Sequence, residues 1–301
     1  MAGSRQRRRG DLVSLGARAA APDRRAPRGC FVTAFLAMTM CACAAASGPV
    51  AGGELRVCAD PQNLPYSRED GAGFENRVMQ VVARELGARV KPVWLPEGRG
   101  YVRKTLNAGL CDVLAGVPAE LDLVLTTAAY YQSSYVFVSR ADRGEPYRSF
   151  DDARLLKAKI GVQLIGDESA ATPPGHALAA RGLTNVIGYT IHGERPQVER
   201  MIDDVASGAV DVAVAWGPPA GFFASRQDVP LQVAAAQAPP DLAQIPFEFS
   251  ISMGVRKNDA ILQHALDAAL VRARPDIDRI LTDYAVPRVD VMREPRVEAA
   301  R

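Results

Sequence analysis

Short apolar runs alternate along this chain with segments whose apolar residues recur every three or four positions. "LRVCA", Leu55 to Ala59, has the length of a buried strand and is closed by Pro61 and Pro65. "FENRVMQVVARELG" then places Phe74, Val78, Val81, Val82 and Leu86 on one helical stripe, with Gly87 as the C-terminal stop. "YVRKTLNAGLCDVLAGV" predicts a short helix, a stop at Gly109 and a strand opening at Asp112-Val113. The pattern returns about a hundred residues later. "KIGVQLIG" predicts a strand, Val198, Met201, Ile202 and Val205 a helix stopped by Gly208, and Asp211-Val212 the start of another strand.

Helix, Gly-x-x-Asp-Val and strand thus occur twice, at 109–113 and 208–212. Apolar strands alternating with amphipathic helices imply mostly parallel sheets covered by helices, an α/β protein. Two copies imply two lobes, each with its own sheet. Between the copies, "YYQSSYVFVSR" predicts a crossing strand, and "IPFEFSISMGV" predicts a return crossing before a last helix carrying Ile261, Leu262, Ala265, Leu266, Ala269 and Leu270. The expected division is lobe I at 54–142 and 246–288, lobe II at 143–245 and a tail at 289–301. The strands at 133–140 and 247–255 would form a hinge, with a ligand cleft between the lobes.

The N-terminus changes the electrostatic picture. Residues 1–29 carry eight Arg, and Cys30 to Ala46 is a run of 17 residues without charge. A basic start, an apolar stretch and small residues at Ala44-Ala45-Ala46 predict a secretory signal over 1–46 and a periplasmic protein. A retained membrane anchor, or a lipid on Cys41 or Cys43, are the alternatives. Without residues 1–46 the chain carries 28 basic against 32 acidic residues, a net charge of −4, which removes any case for nucleic acid. Enzyme signatures are lacking. His176, His192 and His264 show no metal-ligand spacing, and no P-loop, dinucleotide fingerprint or Gly-x-Ser-x-Gly occurs. No catalytic residue, metal or cofactor is expected. A lyase would need a carboxylate pair, for which Asp60, Glu75 and Glu120 are the candidates.

Several stretches together resemble one known group of proteins. "LRVCADPQNLPYS", "GFENRV", "GRGYVRKTLNAGLCDVLAGVP", "VLTTAAYYQSSYVFV" and "AWGPPAGFF" are similar to periplasmic proteins associated with quinoprotein (PQQ-dependent) methanol and alcohol dehydrogenases, the MoxJ/XoxJ type. That group lies within the type 2 periplasmic binding proteins, and the resemblance covers residues 54–288. It implies a two-lobed α/β fold and a non-catalytic accessory role beside a dehydrogenase partner in methanol oxidation. The alternative is the substrate-binding component of an ABC importer for a small uncharged or aromatic solute.

The departures from amino-acid binders inform the cleft. Such binders resemble one another in an Arg that forks onto the substrate carboxylate. Here the matching stretch, "GVPAELDLVLTT" at 116–127, holds no Arg or Lys, and Trp216 stands at or next to the position of their ammonium-binding Asp. The expected cleft residues are Asp60, Asn63, Tyr66, Phe74, Arg99, Val117, Pro118, Thr127, Tyr130, Gly166, Trp216, Gly217 and Pro218. Gly217-Pro218-Pro219 is taken as a loop ending the Trp216 strand. Gly166 and Ser169 suggest an anion cradle that Asp167 and Glu168 oppose. Tyr66, Tyr101, Tyr130, Tyr131, Trp216, Phe222 and Phe223 are the candidate anchors for a protein partner, with burial in the core as the competing reading of several. Cys58 and Cys111 are the cysteines left after signal removal. An oxidising compartment favours a disulfide, but in the resembling fold a three-residue offset between parallel strands puts the two about 10 Å apart. Both states stay open at this level.

Overall fold

A computed structural model describes residue 50 and residues 53–165, 170–190 and 195–289. The expected signal, Gly166 to Ser169, His192 and the tail beyond Val289 fall outside the described residues. Strand β1 (Glu54–Ala59) leads through the two-residue strands β2 (Gln62–Asn63) and β3 (Ser67–Arg68) into helix α1 (Phe74–Glu85). α1 buries the predicted stripe from Phe74 to Val82, and Gly87 follows its end at φ +66°, a left-handed turn that glycine makes without steric cost. Strand β4 (Arg89–Trp94), the short helix α2 (Tyr101–Lys104) and strand β5 (Val113–Pro118) complete the first repeat.

Strand β6 (Leu125–Thr126) and the long strand β7 (Tyr131–Arg140) carry the chain across. The second repeat contains strands β8 (Ile160–Ile165) and β9 (Ala170–Ala171), helix α3 (Pro173–Ala180), strand β10 (Val186–Tyr189), helix α4 (Gln197–Ser207) and strand β11 (Val212–Trp216). Helix α5 (Gly217–Ala224), strand β12 (Leu231–Ala235), the returning strand β13 (Glu248–Val255) and helix α6 (Ala260–Asp283) finish the described fold. Among the described residues no helix is long and apolar enough to cross a membrane.

The repeated Asp has the same task in both halves. Asp112 accepts the backbone N–H of Arg56 and pairs with the guanidinium groups of Arg56 and Arg256 at 2.5 and 3.2 Å. Asp211 accepts the backbone N–H of Lys159 at 2.8 Å and pairs with Arg143 at 3.0 Å. Each carboxylate satisfies a donor at the start of a neighbouring strand, so both are structural.

Two expectations need correction. The sheets are not separate. One hydrogen-bonded path runs β10-β8-β11-β7-β13-β5-β1-β4, because β7 and β13 pair antiparallel over Tyr131–Ser134 and Glu248–Ile251. The outer pairs β1/β4, β1/β5, β8/β10 and β8/β11 are parallel, so the sheet is mixed. The segment after Trp216 is not a loop either. Gly217, Pro218 and Pro219 open α5, with Trp216 as its N-cap residue. The first turn of a helix has unsatisfied N–H groups, so proline is tolerated there. A Cβ on Gly217 would stand 2.6 Å from the Ser134 carbonyl oxygen, so the helix start lies directly on β7.

Cys58 and Cys111 form a disulfide with Cα atoms 5.5 Å apart, within the usual span of a bridge. The three-residue offset holds in register, since Cys58 faces Leu114. The distance inferred from it does not hold, because the chain before Val113 is coil rather than a straight continuation of β5. Both cysteines are buried with Leu106, Leu114, Val117 and Val124.

Candidate functional site

A cavity of about 370 Å³ lies where the ends of the first-half strands meet the central pair β7 and β13 and the end of β11. Its walls are Asn63, Tyr66, Glu75, Glu97, Gly116, Val117 and Pro118 from the first half, Tyr131, Tyr135, Phe249 and Ile251 from the central strands, and Trp216 from β11. None of these residues is basic. A second cavity of about 910 Å³ shares Asn63, Tyr66 and Glu97 and extends to Arg195, the start of α4 and Phe223.

Strand register builds the aromatic wall. Trp216 pairs with Tyr135 in the β11/β7 ladder, and their rings meet edge to face at 5.5 Å. Phe249 approaches the Trp216 ring at 5.6 Å, and the Trp216 backbone N–H donates to Gln163 Oε1 at 3.1 Å. Tyr66, whose hydroxyl lies within hydrogen-bond reach of the Trp216 side chain, packs at 5.4 Å against Phe74, which is itself fully buried in the core. The loop carrying Tyr66 is tied by Asp60, whose carboxylate accepts the backbone N–H groups of Gln62 and Glu97, both at 2.7 Å.

Two carboxyl groups face this wall. Glu75, in the first turn of α1, lies so close to Gly116 that a Cβ there would overlap the carboxyl group. Burial, and then the charge of Glu97, pushes Glu75 up to about 8. Glu97 sits on the coil after β4 and accepts Asn63 Nδ2 at 3.2 Å. The residue is exposed, and it lines the cavity. Loss of water there, and then the charge of Asp60, pushes it up to about 7. The Tyr66 hydroxyl is raised by burial and by Glu75 and Glu97 in turn.

Of the residues expected in the cleft, Asn63, Tyr66, Val117, Pro118 and Trp216 line the smaller cavity. Asp60 is committed to backbone donors at the rim of the larger one. Phe74 and Tyr130 are core residues, and the Tyr130 hydroxyl donates to the Ala115 carbonyl at 3.1 Å. Thr127 is buried and accepts the Met253 backbone N–H at 3.0 Å. Gly217 and Pro218 are buried in the start of α5, and Arg99 is exposed and not among the cavity-lining residues. Gly166 lies outside the described residues. Tyr130, Tyr131, Phe222 and Phe223 are all buried, which removes them as surface anchors for a protein. Glu97, Tyr135, Phe249 and Ile251 were not singled out in the sequence. Alternation along β7 and β13 is the signal that places the last three on a common face. The Asp60, Glu75 and Glu120 set does not assemble as proposed, since Glu120 is absent from the cavity lining, although Glu75 is joined there by Glu97.

No protein-family model matches the chain. The fold is that of the periplasmic binding proteins. The crystal structure of periplasmic binding protein XoxJ from Methylobacterium extorquens AM1 is 34% identical, covers 78% of this chain and 99% of its own, and superposes with a TM-score of 0.65. That of MxaJ from Methlophaga aminisulfidivorans MPT is 25% identical, covers 78% and 100%, and has a TM-score of 0.68. Protein MoxJ of Methylorubrum extorquens is 34% identical over 252 residues, 79% of this chain and 83% of that protein. The chain belongs to the MoxJ family of periplasmic binding proteins.

Proposed function

We propose that this chain is a non-catalytic accessory protein of a PQQ-dependent methanol or alcohol dehydrogenase, exported to the periplasm by its N-terminal segment. It would dock on the enzyme or aid its maturation. Family membership supplies the association, and one feature of the cleft carries the case against an amino-acid receptor. The cavity wall offers two carboxyl groups and no basic side chain. An α-carboxylate entering it would lose hydration without gaining a charged donor and would meet Glu75 and Glu97. The importer reading retains the cavity as its support, since it is large enough for a small solute.

Calorimetry and co-purification separate the two readings. The protein without its signal should bind none of the proteinogenic amino acids more tightly than about 1 mM. Immobilised, it should retain the dehydrogenase from a periplasmic extract of the source cells. Micromolar binding of an amino acid, with no dehydrogenase retained, would restore the importer.

A further inference from the structure

The cleft combines aromatic walls with acids that lack a counter-charge. Glu75 makes no hydrogen bond or ion pair among the described residues, although its carboxyl group lies in the cavity wall. Glu97, on the same wall, accepts one side-chain hydrogen bond, from the Asn63 amide. A carboxylate withdrawn from water is costly unless a cation or several donors replace the lost hydration. Aromatic rings share the cavity wall with these acids, and the face of such a ring attracts a cation and does nothing for an anion.

We propose that this cleft takes a small organic cation, an ammonium group on an apolar or aromatic body. Glu75 and Glu97 are its counter-charges, and Tyr66, Tyr135, Trp216 and Phe249 are its walls. This revises the expected uncharged solute and does not rest on the dehydrogenase association. The carboxylates neutralise the ammonium and the rings enclose its organic body. An anion finds no basic side chain in the cavity wall and would hold these acids in their protonated form, and a neutral analogue forfeits the charge pairing. A metal ion is a poor alternative, since no group of three or more metal-ligating side chains occurs among the described residues.

The pairing has a proton signature. The titratable groups that act on Glu75 or are acted on by it are Glu97 from the coil after β4, Tyr66 from the loop before α1, and Tyr130 and Tyr131 from β7. Asp60 acts on Glu97, and Tyr101 senses all three acids. With Glu75 held up to about 8, the empty cleft keeps a proton there at neutral pH, and a cation must displace it.

Benzylammonium, benzyl alcohol and benzoate have nearly the same size and differ in charge, so they serve as probes of the signal-free protein by calorimetry. Benzylammonium should bind at least about tenfold more tightly than benzyl alcohol, and benzoate should not bind. Between pH 6.5 and 8.5 its affinity should rise at least about 25-fold as Glu75 ionises. At pH 7, buffers of different ionisation enthalpy should report about one proton released per cation. Glu75→Gln should remove most of the pH dependence, and the proton count on the unaltered protein tests the proposal without relying on any variant. Equal binding of the alcohol, tighter binding of benzoate, no proton release, or no saturable benzylammonium binding at about 10 mM would each overturn it. Dehydrogenase retention is read separately, so the failure of one proposal leaves the other distinguishable.

Discussion

Reducing the Cys58–Cys111 bridge should lower the stability of the protein by about 4 kcal/mol, the loop-closure value for a cross-link of this length. The two cysteines are 53 residues apart and enclose β2, β3, α1, β4 and α2. Asn63, Tyr66, Glu75 and Glu97 all lie on that enclosed segment, so the bridge constrains most of the first-half wall of the cleft. Unfolding in urea with and without a thiol reductant, at matched pH, checks the value. Coincident curves would show that the bridge contributes nothing.

Replacing Glu75 by Gln should stabilise the unliganded protein, and more so at alkaline pH. The carboxyl group titrates at about 8 when folded, against a usual value of 4.5. Below pH 4.5 both states hold the proton and its ionisation costs the fold nothing. Between 4.5 and 8 the unfolded chain gives up the proton while the folded one keeps it, so stability falls as pH rises. Above 8 the loss is complete, about 5 kcal/mol at about 1.4 kcal/mol per pKa unit, which the partial solvent exposure of Glu75 screens to on the order of 2–4 kcal/mol. The variant lacks this loss, so its melting temperature should match that of the parent at pH 4.5. It should exceed the parent by roughly 8 °C at pH 8.5. A gap that stays constant with pH would refute the assignment.

Several elements were legible because their reasons are local. Helices α1 and α4 show their buried stripes directly, and Gly87 and Gly208 mark their ends through a left-handed backbone that other residues adopt at a cost. The repeated Asp was readable as structural because a short acceptor at a strand start meets a neighbouring N–H. Trp216 was placed in the cleft by its position at a strand end, and Tyr66 by the loop after the first strand.

What was missed depends on how separate segments meet. Glu97 is one acid in a coil, and only the fold brings it opposite Tyr66 and near Glu75. Gly217-Pro218-Pro219 reads as a loop to anyone counting helix breakers, yet the same residues suit a first helical turn resting on β7. The separation of the cysteines was overestimated because register fixes distance only while both chains remain extended. Tyr130 was grouped with candidate surface anchors, and Phe222 and Tyr131 were left between anchor and core, since residue type alone does not reveal which side of a strand or helix is covered.

The pairing of β7 with β13 bears on how the molecule comes apart. One apolar core contains Phe74, Val78 and Met79 of α1 together with Val198, Met201 and Ile202 of α4, and it is continuous across the central strands. Near the C-terminal end of the chain, Ser133 Oγ donates to the Pro287 carbonyl at 2.6 Å, and Tyr284 stacks on Phe222 while its hydroxyl donates to the Ala72 carbonyl. Neither repeat can lose its packing without exposing part of the other. Heat should therefore melt residues 54–289 in a single calorimetric transition, with equal van't Hoff and calorimetric enthalpies, despite a chain built from two copies of one motif.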